Sequence, residues 1–264
     1  NQTEIYWWWN IDPNIDINDY LQPNGTIPPD SIYNQSTSST GYSVSHQYDD
    51  PGIYYILYQM ETGPIPTCNY DYSNIVLDSI IIYPEPSAHF INPIGDEACL
   101  GEIVTFEYDS EIPVVAGISG QFISNIIWEV ISPTGVITNI NGIPNIDLDF
   151  LVDDSGIWII SIIVESNKGC SALFTDSILV HEPPLANFII IPDSACSGNG
   201  LTYFDASSST DGSGTINQYL WDFSTNANPN ISNGVIVSTE FLSNGNWFVD
   251  LIVIDNFGCS DTIT

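Results

Sequence analysis

Short apolar runs punctuated by Gly, Pro, Asn and Asp dominate the chain. "EIVTFEY" (102–108), "NIIWEV" (125–130), "IDLDFLV" (146–152) and "IWIISIIV" (157–164) are rich in β-branched and aromatic residues, and no 3.6-residue apolar period extends beyond two turns. Such runs predict strands and an all-β fold. Roughly seven of them in about 95 residues is the size and spacing of an immunoglobulin-like sandwich, in which two sheets close over a buried Trp.

The pattern repeats. "GIWIISIIVESNKGCS" (156–171) has a counterpart in "GNWFVDLIVIDNFGCS" (245–260) and a looser one in "GIYYILYQMETGPIPTC" (52–68). The Gly-to-Cys interval is 14 residues in the first two and 16 in the third, as a two-residue insertion would give. "IIWEV" (126–130), "YLWDF" (219–223) and "WWWNI" (7–11) set Trp128, Trp221 and Trp9 ahead of each Gly-aromatic strand. Trp9 is therefore expected in a core, and Trp8, aligned with Ile127 and Leu220, on a second apolar face. Ala88 and Ala186 mark equivalent unit starts 98 residues apart. The expected units are 1–84, lacking its N-terminal strands, then 85–182, then 183–264, lacking the end of its last strand. The chain reads as a window on a longer array.

The cysteines follow the same frame. Cys99 and Cys170 are 71 residues apart and Cys196 and Cys259 are 63 apart, each pair running from an early strand to a late one. Two disulfides within units are expected, with the partner of Cys68 outside the chain; five buried free thiols are the alternative. A loop of that length stabilises a unit by roughly 4 kcal/mol in the chain-entropy model. The implied compartment is oxidising and extracytoplasmic.

Composition narrows the function. The 264 residues, 43% hydrophobic, can fill real cores, and 33 acidic side chains against one Lys and no Arg give a net charge of −32. That charge repels nucleic-acid phosphates and anionic head groups alike. No apolar stretch approaches the ~18 residues of a membrane span, and no signal-peptide pattern opens the chain. His46, His89 and His181 fall in three unrelated contexts, which argues against a recurrent metal triad or acid/base dyad. No GxSxG, HExxH or phosphate-cradling Gly loop occurs. Asp49-Asp50 and Asp153-Asp154 precede Gly52 and Gly156 at matched places, which marks a repeated turn and not a glycosidase pair about a cleft. No catalytic residue is indicated, and the chain is expected not to be an enzyme.

"FDASSSTD" (204–211), Trp221-Asp222-Phe223, Gly245 before its strand, and "VIDNFG" (253–258) resemble a PKD domain, an immunoglobulin-like β-sandwich module of surface proteins and secreted enzymes. The likeness is fullest over 183–264. The sequence departs from the family at "STN" (224–226), where Gly-Asp-Gly is usual, and in its cysteine pairs. With those pairs it is similar to the PKD-like repeats of very large Bacteroidetes surface proteins, including gliding-motility adhesins exported by type IX secretion.

That resemblance implies an extracellular location on a bacterial cell surface and a disulfide-stapled stalk, a quasi-one-dimensional rod with Pro-stiffened joints at 83–86 and 181–184. Its implied partners are neighbouring repeats, an extracellular polysaccharide or other surface ligand, and the motility or secretion machinery. Polysaccharide-binding accessory modules of a secreted hydrolase, and a surface filament or S-layer protein, are the alternatives. No organic cofactor is implied. Calcium is the candidate ion, on Asp205, Asp211 and Asp222, with turn chemistry as the competing reading of those residues. Asp-Ser/Thr followed by a small or aliphatic residue makes Ser31, Ser79, Ser177, Ser194 and Thr262 candidate O-glycosylation acceptors.

Overall fold

A computed structural model describes residues 2–15, 17–21, 29–36, 45–62, 71–192, 194–198 and 200–264. Apart from one 3-10 turn at Ile17–Asp19, the regular elements among them are strands. In the first unit β1 (Gln2–Trp8), β2 (Ser31–Ser36), β3 (Gly52–Thr62) and β4 (Asp71–Ile82) form one antiparallel sheet in the order β2-β1-β3-β4. Trp8 lies opposite Leu57, and both are buried with Tyr6, Ile11 and Tyr20.

This corrects the expectation for Trp9, which is half-buried on the other face with Trp7. Trp221 lies opposite Leu251 as Trp8 lies opposite Leu57, so Trp8 is the structural counterpart. Three consecutive tryptophans fit two registers, and a one-residue slip exchanges the faces.

The middle unit has β5 (Phe90–Ile91), β6 (Glu97–Cys99), β7 (Ile103–Tyr108), β8 (Ile123–Ile131), β9 (Ile137–Gly142), β10 (Leu148–Leu151), β11 (Gly156–Ser166) and β12 (Ser171–His181). They form sheets β10-β7-β5 and β6-β12-β11-β8-β9. Alternation along β8 buries Ile126, Trp128 and Val130. Phe90 fills the space between the sheets, its ring 5.0–5.4 Å from those of Phe106, Trp128 and Phe174. Each such side chain contributes about 1.5–3 kcal/mol by leaving water.

The last unit has β13 (Ile189–Ile191), β14 (Leu201–Asp205), β15 (Ile216–Asp222), β16 (Ala227–Asn228), β17 (Ile231–Asn233), β18 (Ile236–Phe241), β19 (Asp250–Asp255) and β20 (Ser260–Ile263), in sheets β13-β14-β18-β16 and β17-β15-β19-β20. Trp221 packs on Phe188, Phe204 and Phe223, and its Nε1–H donates to the Gly234 carbonyl at 2.9 Å. Short edge pieces bring the strand number of the middle and last units to eight. Among the described residues no sheet mixes strands from both sides of 83–86 or of 181–184.

By their internal contacts the residues form two compact bodies: Asn1–Ser87 with Glu111–Ser124 and Val164–Ala172, and Ala88–Ser110 with Asn125–Ile163 and Leu173–Thr264.

One corner is built three times. Tyr54 Oη donates to the Asp50 carbonyl (2.8 Å), Trp158 Nε1 to Asp154 (2.9 Å) and Trp247 Nε1 to Ser243 (3.2 Å), each four residues back. The aromatic head thus ties the incoming loop to the strand, as a tyrosine corner does. Gly156 (φ 126°) and Gly245 (φ 153°) precede two of these rings in a backbone region that L side chains rarely adopt.

Candidate functional site

The late cysteines sit in equivalent turns of unlike sequence. Before Cys170, Ser166 Oγ accepts from the N–H of Lys168 (3.3 Å) and of Cys170 (3.2 Å). Before Cys259, Asp255 Oδ1 accepts from Phe257 and Cys259, both at 2.9 Å. Gly169 and Gly258 take φ of 83° and 89° at the same step. Asn167 exchanges hydrogen bonds with the backbone of Phe122, and Asn256 does so with Thr215. Both cysteines are therefore held by the same scaffold of bonds.

The early cysteine occupies the opposite end of its unit. β6 runs parallel to the last three residues of β12, with Glu97 beside Leu179, Ala98 beside Val180 and Cys99 beside His181. The Leu100 N–H donates to the His181 carbonyl at 2.9 Å. Cys170 precedes the other end of β12, a strand of 11 residues. At ~3.3 Å per residue that is about 36 Å, whereas a disulfide needs Cα atoms within about 7 Å. The expected Cys99–Cys170 bond is therefore excluded.

Cys196 and Cys259 are separated likewise. Cys259 belongs to the turn bonded to Thr215, just before β15, while the neighbouring Gly198 N–H reaches the Phe241 carbonyl at the other end of the sandwich. The expected Cys196–Cys259 bond is corrected too. Cys99 is bonded to Cys259 instead, across 160 residues with Cα atoms 5.6 Å apart. Cys170, half-buried, and Cys196, exposed, are unpaired, and Cys68 lies outside the described residues.

This bond crosses a built joint. The buried His181 ring stacks on Phe257 with centroids 3.7 Å apart and planes 12° from parallel. The Glu182 N–H donates to Ser213 Oγ and the Ser213 N–H to the Glu182 carbonyl, both at 2.8 Å, and Leu185 bridges to Thr210. A Cβ at position 212 would stand 2.1 Å from the Glu182 oxygen, so any residue but glycine there displaces the joint backbone.

The preceding joint has the same plan. The Lys168 ammonium lies 5.1 Å over the Tyr83 ring, replacing Phe257 on His181, and Ser87 bridges to Glu111. Gln121 Nε2 donates to the Pro84 carbonyl at 2.8 Å. Cys170 Sγ lies 4.0 Å from the Tyr83 carbonyl oxygen.

The three candidate calcium ligands are not brought together. Asp205 Oδ1 accepts from the Ser207 N–H, Asp211 Oδ1 from Ile216 and Asp222 Oδ1 from Ser224, each at 2.8 Å. Hydrogen bonds from the Ser207 side chain, then its backbone, hold the Asp205 carboxyl below the usual range. Asp211 accepts from the first residue of β15 and Asp222 is its last, so the seven-residue strand, about 20 Å long, stands between them. Ligand distances of about 2.3–2.6 Å cannot be met at one ion by both. Among the described residues no group of three His, Cys, Asp or Glu could hold a metal.

Ser79, Ser177, Ser194 and Thr262 are exposed; the Ser31 side chain lies outside the described residues. Ser79 and Ser177 stand 98 residues apart in β4 and β12, each bonded through its N–H to the preceding Asp carboxylate at 2.8 Å. His89 meets Asp109 at 3.1 Å and His46 stacks on Trp9, so the three histidines remain separate. The outer aromatics of the first sheet are stacked on one another: Tyr58 on Trp7 (5.0 Å), Trp7 on Trp9 (5.3 Å), Trp9 on His46 (4.9 Å). A sugar between two rings would need roughly twice the ~3.5–4.0 Å contact distance, so these gaps offer no sandwiching site.

Residues 181–264 match the family model of the PKD domain. No curated protein matches the chain by sequence. Among solved structures, the chain is similar to fibronectin(III)-like modules of Clostridium thermocellum CbhA, with 13% identity, a TM-score of 0.33, and coverage of 67% of this chain and 91% of that one. It is also similar to the FN1–FN3 domains of chicken CNTN1, at 9% identity and a TM-score of 0.33 over 79% and 77% of the two chains. A 1.5-MDa bacterial ice-binding adhesin matches over 99% of this chain and 83% of that one, at 10% identity and a TM-score of 0.34. The chain is all-β, built of tandem immunoglobulin-like sandwiches, and PKD-like in its last unit. Among the described residues no helix is long and apolar enough to cross a membrane.

Proposed function

We propose that this chain is a non-enzymatic, load-bearing repeat segment of an extracellular bacterial surface adhesin, in which the units act as a stapled stalk. The Cys99–Cys259 bond carries the reading. A bond inside one sandwich would stabilise that sandwich alone. A bond from one unit to the next leads tension around both folds, so pulling the ends does not draw on the strands between the cysteines. The acidic surface suits the reading as well, since 33 carboxylates and one Lys keep like chains apart in solution.

Pulling the oxidised chain between its ends in a force spectrometer is expected to leave residues 99–259 unextended. Reduction then adds about 550 Å of contour, at ~3.3–3.6 Å per residue. Equal extension before and after reduction would remove the stalk reading's support.

A further inference from the structure

We propose that Cys170 and Cys196 belong to the same device as Cys99 and Cys259, so that each unit's early cysteine is bonded to the turn cysteine of the unit that follows it. Cys170 then pairs with an early-strand cysteine of a preceding unit, and Cys196 with a turn cysteine of a following one. The inference rests on the stalk reading, because it requires flanking units of the same kind.

Three observations carry it. The turn of Cys170 reproduces that of Cys259 bond for bond, although Ser166 replaces Asp255. Beside that turn, Tyr83 stands where His181 stands, 98 residues later, next to Cys99. The strand leading to Tyr83 is β4, at the edge of its sheet among the described residues, with Ile80 and Ile81 39% and 43% exposed. The equivalent end of β12 is covered by β6, which delivers Cys99 to the joint. A short strand of the Glu97-Ala98-Cys99 type laid along residues 81–83 would place its sulfur near Cys170.

At the other end of the chain, Cys196 is exposed and unpaired. It lies 97 residues after Cys99, at the matching early place of its unit, and is the candidate to make the same bond.

Each closure is a thiol–disulfide exchange. The two cysteine thiols give up two protons and two electrons to the disulfide of an extracytoplasmic dithiol oxidoreductase, which leaves as its dithiol while the new S–S bond forms.

The test uses the full-length protein from the cells that make it, alkylated before lysis and cleaved without reduction. Cleavage at Asp and Glu is needed, because Lys168 is the one tryptic site here. Mass spectrometry is expected to find the Cys170 peptide linked to an early-strand cysteine of another unit, and the Cys196 peptide linked to a Gly-Cys turn. Alkylated Cys170 or Cys196, or a bond between early and late cysteines of one unit, overturns the ladder. So do covalent multimers on a non-reducing gel, which would assign the bonds to a second copy. Flanking units with alkylated cysteines would sink the ladder alone; a chain without such units would sink the stalk reading as well.

Discussion

Trp8 closes the first sheet against Leu57 with 1% of its surface exposed, while Trp7, one residue earlier, lies on the opposite face among stacked rings. Trp8→Ala is expected to cost about 3–5 kcal/mol in denaturant unfolding, the range for a buried aromatic, and Trp7→Ala clearly less. Equal losses would mean that the register is wrong. Asp205 offers a second check. Its lowered pKa means that the bonds to Ser207 favour the ionised form. Their contribution is present above the ordinary Asp value of about 3.9 and is lost as pH falls through the lower folded value. Carbon-detected NMR should place the Asp205 midpoint below 3.9; a midpoint at or above it would contradict the turn geometry. The role of this Asp as a turn residue was readable from its company of Ser and Asp, whereas the choice among three adjacent tryptophans was not.

The strands were legible because β-branched and aromatic runs bounded by Gly, Asn and Asp have few other folds open to them. Their edges were less so: β5, β6 and β16 span two or three residues and exist through their neighbours. The loop between β14 and β15 shows what such context adds. It reads as solvent-facing "SSSTDGSG", yet its Gly212 lies against the Glu182 and Pro183 carbonyls and its Ser213 exchanges hydrogen bonds with Glu182. Gly212→Ala must push the joint peptide away. We expect faster reduction of Cys99–Cys259 by a small thiol reagent, with the far-UV spectrum of the folded chain unchanged. An unaltered reduction rate would show that this contact does not hold the joint.

For the whole chain, the consequence lies in where the sulfurs are. Strand periodicity, the Gly-to-Cys interval and the recurring Trp were enough to point to repeated all-β sandwiches, since these depend on local pattern. Cysteine pairing depends on distance. The cysteines of one unit are early and late in sequence, which invites a bond between them, but an 11-residue strand carries Cys170 and Cys99 to opposite ends of the sandwich. Equal spacing along a repeat leaves pairing within a unit and pairing to the next unit indistinguishable. Folding separates them, because strand length is fixed at ~3.3 Å per residue and a disulfide spans only a few ångströms.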